Sequence, residues 1–182
     1  MLSLKTRQTR MKELGFYTGK VDNKEGPLTK KAYLKMQKKY FPKSEQDGDY
    51  GAKTDILLQS LWNCRDLKHF KLEEFKCDCG GRYCTGYPAV MNRTLLTKLD
   101  KTLRPKYGPM TILSGVRCNK RNAEVGGVPN SKHKLGKAAD FQCAESRKGV
   151  SSRNDIVKYC LKHFRYAYGN TPGMGASIHV DV

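Results

Sequence analysis

Two short alternating segments near the C-terminus limit what this chain can fold into more than any other feature. In residues 177–182 the apolar Ile178, Val180 and Val182 fall on one side of an extended backbone, and Ser177, His179 and Asp181 fall on the other. Residues 137–143 alternate as well, placing Ala138, Asp140 and Gln142 on one side. Each segment therefore reads as a strand with one face to bury and one face that carries chemistry. His133 precedes the second of these in a Ser/Lys/Gly loop, and only four histidines occur in the chain. Two imidazoles and one carboxylate, His133, Asp140 and His179, are a sufficient protein set for a catalytic zinc ion, whose fourth position stays open to water. The small Ala138 beside the carboxylate leaves room for a metal and a substrate.

The N-terminal third carries an internal repeat. Asp22-x-x-x-Gly26-x-x-Thr29 recurs as Asp47-x-x-x-Gly51-x-x-Thr54. Each copy reads as a turn that starts a helix, with Asp and Gly supplying the turn and Thr capping the helix. Helices are expected over residues 4–14, 28–40 and 52–62, forming a small three-helix bundle as a first domain at 1–62. Residues 63–70 read as a linker and 71–182 as a second domain. In the second domain the pattern predicts a helix from 88 or 89 to 103, burying Leu95, Leu96, Leu99 and Leu103. It also predicts a strand over 110–113 and a helix over 153–164 that turns Ile156, Val157, Cys160 and Leu161 toward a sheet. The fold class is α+β, with helices on one face of a mainly antiparallel sheet and the metal on the other.

The pattern S-x-H-x-x-G-x-A-x-D at 131–140, followed by a terminal H-x-D at 179–181, resembles the zinc D-Ala-D-Ala carboxypeptidase and L-alanyl-D-glutamate peptidase family of peptidoglycan hydrolases. Phe75-x-Cys77-x-Cys79-Gly80, Ser114-Gly-Val-Arg117-Cys118, Asn122 and Gly126-Gly127 resemble the segments that precede the metal motif in one branch of that family. The likeness spans roughly residues 68–182, and it implies the compact fold shared with hedgehog-type domains. Residues 14–22, with 29–37 and the second Asp-Gly turn, resemble the peptidoglycan-binding domain found beside many wall hydrolases. With no export signal in the first residues, a phage endolysin is the expected setting, made in the bacterial cytoplasm and acting on the wall after release. A host autolysin or remodelling carboxypeptidase is the other setting.

The net charge of +18 raises the question of nucleic acid. Residues 1–62 hold 13 basic and 7 acidic side chains and residues 63–182 hold 22 and 10, so the excess is spread over both regions. No basic tail or nucleic-acid motif stands out, and a wall rich in teichoic acid and peptide carboxylates attracts the same charge. The expected partner is therefore bacterial peptidoglycan and not nucleic acid, with the protein a monomer. No apolar run reaches the roughly 20 residues of a membrane span. The first ten residues lack the apolar core of a signal peptide, so Sec export is not expected.

Seven cysteines is an odd count, so at least one thiol stays unpaired in a monomer. Cys77, Cys79, Cys84 and the distant Cys118 can assemble a second, structural zinc site, since four thiolates make a closed set. Against that reading, C-x-C followed by a four-residue gap is not the usual zinc-knuckle spacing, and buried thiols also serve as small hydrophobes. Cys64, Cys143 and Cys160 read as packing residues, and His69 and His163 as structural ones.

Amide hydrolysis at such a site calls for a polarised carbonyl, an activated water and a group that moves its proton. Arg117 follows a predicted strand and is the natural counter-charge for a developing oxyanion or a substrate carboxylate, a role the resemblance also gives it. Ser131 and Asn122 are candidates for orienting His133 or the substrate. Many relatives carry an acid three residues before the last zinc ligand, where this chain has Ala176. Either Asp181 is the general base, or the protein is a catalytically inactive, zinc-containing wall binder.

Overall fold

The computed structural model describes all 182 residues. Three helices come first: α1 (Leu4–Glu13), α2 (Pro27–Tyr40) and α3 (Ala52–Cys64). Ser3 caps α1 by accepting the Thr6 N–H, and Pro27 occupies the first turn of α2, where its missing N–H costs nothing. Their inward faces bury Met11, Ala32, Tyr33, Met36, Leu57 and Leu58.

The two repeats are each held by a buried glutamine. The Gln8 amide donates to Asp22, to the Lys24 carbonyl and to Thr29, while its oxygen accepts the Asn23 N–H. Gln37 does the same one repeat later, donating to Asp47, the Asp49 carbonyl and Thr54 and accepting the Gly48 N–H. Thr29 and Thr54 therefore do not cap their helices. Gly26 and Gly51 occupy the N-cap positions, and each threonine hydroxyl lies one turn in, against its glutamine.

Residues 63–70 are not a free tether. Cys64 still belongs to α3, and the exit of that helix is fastened to the next region of the chain. Asn63 donates to the Met91 carbonyl at 2.8 Å, Ser60 accepts the Met91 N–H at 3.1 Å, and Arg93 forms a two-pronged ion pair with Asp66. The apolar interior is continuous across this junction, from Met11 and Leu57 through Tyr87 and Met91 to Phe141 and Val180.

The second region begins with a 3-10 turn, Leu72–Phe75, and continues after an irregular stretch into α4 (Arg93–Lys98). The helix starts later than its apolar pattern predicts because Met91 and Asn92 are bonded elsewhere. The Asn92 N–H donates to Gly136 at 2.9 Å, and the Asn92 side chain caps the helix at Leu95. A π-helical turn, Leu99–Leu103, comes next and runs into α5 (Arg104–Tyr107). That turn carries the buried Asp100, whose carboxylate accepts the N–H groups of Lys68 and His69, which gives His69 the structural role expected of it.

Four strands form one antiparallel sheet in the order β1-β2-β4-β3: β1 (Met110–Ser114), β2 (Ala138–Cys143), β3 (Tyr166–Gly169) and β4 (Ile178–Asp181). α6 (Asn119–Glu124) comes after β1, and α7 (Val150–Leu161) lies between β2 and β3. Residues 119–124 and 166–169 had no predicted element, and α7 starts three residues before its predicted start. Ala139, Phe141, Ile178, Val180 and Ala167 point into the core and meet Ile156 and Cys160 of α7. The register pairs Asp140 with His179 and Ala138 with Asp181, so the opposite face collects the polar residues, as the alternation requires.

Candidate active site

Three elements bring the candidate ligands His133, Asp140 and His179 together. His133 sits in a 3-10 turn, Lys132–Leu135, just ahead of β2, and Asp140 and His179 are direct neighbours across β2 and β4. His179 Nδ1 lies 2.8 Å from Asp140 Oδ1 and 3.2 Å from His133 Nε2, and His133 Nε2 lies 3.3 Å from the same Asp140 oxygen. Three donor atoms thus meet at one point. Four-coordinate zinc with ligands at about 2.0–2.1 Å sets neighbouring donors roughly 3.3 Å apart, so the set fits the ion.

The tautomer of His133 is set by its second contact. Nδ1 lies 2.7 Å from the Gly115 carbonyl, which can only accept, so Nδ1 carries the proton and Nε2 presents its lone pair to the convergence point. Gly115 can be nothing larger here. A Cβ would stand 2.4 Å from the Phe75 carbonyl oxygen, which accepts the Val116 N–H at 3.0 Å. Gly136, at φ 64°, is under a similar constraint from the Val90 backbone and ends the 3-10 turn.

Asp140 is held from behind. Arg117 Nη2 donates to its other oxygen at 3.0 Å and Arg117 Nε donates to Ser114 Oγ at 2.9 Å. A bulge between Ile112 and Ser114 re-aims the end of β1 so that Ser114 pairs with Asp140. Burial pushes the Asp140 carboxyl upward, but the adjacent imidazoles of His133 and His179 outweigh it and keep the group well below the usual carboxylate range. With two of five guanidinium N–H groups engaged, Arg117 keeps the rest for a ligand.

His179 is flanked on two sides. The Tyr168 ring stacks on it at 4.5 Å between centroids, and Asp181 Oδ2 lies 3.6 Å from its Nε2, the nitrogen turned away from the convergence point. Asp181 is not a surface carboxylate at a chain end. It is 3% exposed, its Oδ2 accepts from Arg165 at 2.6 Å, and its Oδ1 is buried without a partner. Arg165 and Tyr168 were not among the residues singled out by the sequence, where the only trace of them is the brief Tyr-Ala-Tyr alternation at 166–168.

A cavity of about 690 Å³ opens over these groups. Arg117, Ser131, His133, Asp140, Arg165, Tyr168, His179 and Asp181 all line it, and loops 125–132 and 171–174 form its rims. Asp140 and Asp181 are its only carboxylates, set among Arg117, Lys132 and Arg165. Asn122 is buried away from the cavity and donates to the Gly127 and Val128 carbonyls at 3.0 Å each, so it shapes the loop that carries Ser131.

Residues 68–181 match the family model described as Peptidase M15. No curated protein matches the chain.

Proposed function

The chain belongs to the Peptidase M15 family, whose members are zinc-dependent metallopeptidases, and on that premise we propose that it cleaves the peptide part of bacterial peptidoglycan. The observation that carries this reading is the convergence of His133 Nε2, Asp140 Oδ1 and His179 Nδ1 on one point at the floor of a basic cavity. A zinc ion held there supplies Lewis acidity for a scissile carbonyl and makes water nucleophilic near neutral pH.

The chain's own groups do the rest. Arg117 fixes Asp140 through one N–H, and its remaining N–H groups meet the developing oxyanion or a carboxylate of the stem peptide. Arg165 and Lys132 favour the same acidic peptide. Asp181 is the one cavity carboxylate not committed to the ligand set. Arg165 holds its Oδ2, and as the general base Asp181 would take the proton from the attacking water and return it to the leaving amine. Ser131 orients the substrate at the rim, while Asn122 acts indirectly by holding the 126–131 loop.

The N-terminal helices hold the polymer near the site, raising its effective concentration there. Their resemblance to a wall-binding domain supports this, and the resemblance of the second region to the L-alanyl-D-glutamate peptidase family is in keeping with an endolysin setting. The test is digestion of purified peptidoglycan by the zinc-loaded protein, with the products identified by mass spectrometry. New amino termini are expected, and their position names the bond. Their absence from a protein that binds zinc and sediments with the wall would instead establish the inactive wall binder that Ala176 raises.

A further inference from the structure

Cys77, Cys79, Cys84 and Cys118 form a cluster separate from the ligand set above, and the mechanism uses none of them. We propose that these four residues bind a second, structural zinc ion that clamps the irregular segment after Phe75 to the loop carrying Arg117. The site stands independently of the peptidase reading.

All four sulfurs lie within 4.8 Å of one another, although Cys118 is distant in sequence from the other three. The Cys79 and Cys84 sulfurs are 3.6 Å apart. Zinc–thiolate bonds of about 2.3 Å place neighbouring sulfurs in a tetrahedron roughly 3.8 Å apart, whereas a disulfide requires about 2.05 Å between two atoms and asks nothing of the other two. The mutual closeness of all four is what a single central ion needs. Backbone N–H groups also point at the sulfurs. Cys118 N–H donates to Cys77, Arg121 N–H to Cys118 and Gly86 N–H to Cys84, each at 3.4 Å, an arrangement that favours thiolates.

The surrounding fold asks for such a clamp. Residues 76–92 form neither helix nor strand, and a stretch of that length inside a compact domain needs something to fix it. Cys77, Cys79 and Cys118 are nonetheless buried, in a cluster of their own apart from the main core. Gly80 and Gly81 take positive φ values, letting the chain turn between Cys79 and Cys84. Cys84 and Cys118 border a surface hollow of about 460 Å³, which gives an ion a way in. The clamp reaches the first site through covalent neighbours, because Cys118 is next to Arg117 in the chain and Cys77 lies just beyond Phe75, whose backbone presses on Gly115.

Full-length protein, purified under reducing conditions and stripped of loosely held metal, tests this without disturbing the cysteines. The wild type should carry two zinc ions and the variant His133→Ala/His179→Ala one. Cobalt offered to that variant should show the intense sulfur-to-metal absorption of thiolate coordination. Cys77→Ser/Cys118→Ser should lose one equivalent, and where that variant fails to fold, the histidine variant still decides the matter. A histidine variant free of zinc, with its cysteines either freely alkylated or paired as disulfides, would overturn the proposal, and iron in place of zinc would overturn the choice of metal. One zinc in the wild type and none in the histidine variant would sink the clamp while leaving the peptidase reading intact.

Discussion

Replacing Asp181 by Asn separates two jobs that the proposed mechanism gives one side chain. Its Oδ2 stands 3.6 Å from His179 Nε2 and 2.6 Å from Arg165, a placement that steadies a metal-binding imidazole. Its other oxygen, Oδ1, is buried and unpartnered, and in the proposed mechanism the carboxylate is the acceptor of the water proton as well. Asn keeps the shape and can still accept from Arg165, but it cannot be protonated on the reaction path. Loss of a positioned base lowers the chemical step by about 10²–10⁴-fold, whereas loss of a group that supports a metal ligand weakens metal binding by roughly 10–100-fold. The two effects respond differently to zinc. Cleavage of a soluble muropeptide should be measured in Asp181→Asn across a zinc titration, with bound zinc measured alongside. A proton-transfer role predicts that kcat stays at least about 10²-fold down after the site is saturated. Full recovery at high zinc would show that Asp181 acts only through His179, and unchanged activity without added zinc would remove it from the mechanism.

Other parts of the site and scaffold give sharper structural tests. Gly115→Ala drives a methyl to 2.4 Å from the Phe75 carbonyl, so the backbone that holds His133 must move; a cost of about 1–3 kcal/mol in urea unfolding is expected, with zinc affinity reduced in equilibrium dialysis. Gln37→Leu strips four hydrogen bonds from the second repeat, which should cost about 2–4 kcal/mol and lower Tm by roughly 5–15 °C, and an unchanged melt would mean the glutamine is dispensable. Acid should loosen the same helices. Backbone N–H groups of Lys24 and Asp49 hold Asp22 and Asp47 below their ordinary values, and the Arg93 ion pair holds Asp66 at about 2. These groups are lowered in the folded state, so their stabilisation is complete above the unfolded carboxylate value of about 3.9 and is lost as pH falls toward about 2. The urea midpoint should drop between about pH 4 and pH 2, and Asp66→Asn should flatten part of that drop.

The convergence of His133, Asp140 and His179 was legible because the chemistry and the spacing of these residues agree. Alternation placed His179 opposite its apolar neighbours, and the register then set it beside Asp140 with no further information needed. The surroundings of the ligands were less legible. Arg165 and Tyr168 lie at or beside a strand of four residues, too short for periodicity to declare itself, and they reach the site only through pairing with β4. The repeat was visible in its Asp, Gly and Thr, but not in the glutamines that organise it. Gln8 lies 14 residues before its aspartate and Gln37 lies 10 before its own, so a fixed offset misses the pair. The bonds across residues 63–70 were hidden for a related reason. Composition marks where the repeat ends, but nothing in it announces that Ser60, Asn63 and Asp66 hold Met91 and Arg93.

That junction bears on how the two regions work together. Had 63–70 been a flexible tether, the N-terminal helices would raise the local concentration of wall polymer without directing it. Instead α3 is bonded to the chain that leads into α4, and Asn92, beside those bonds, donates its N–H to Gly136 at the end of the His133 turn. Gly136 must be glycine because the Val90 backbone approaches within 2.3 Å of where its Cβ would be. The same few residues, 90–93, therefore touch α3 on one side and the turn that carries His133 on the other. On the proposed reading, a polymer held on the N-terminal helices would be presented to the cavity in a fixed orientation, and a change at the α3 exit would reach His133 through the Asn92 N–H on Gly136 and the Gly136 N–H on the His133 carbonyl.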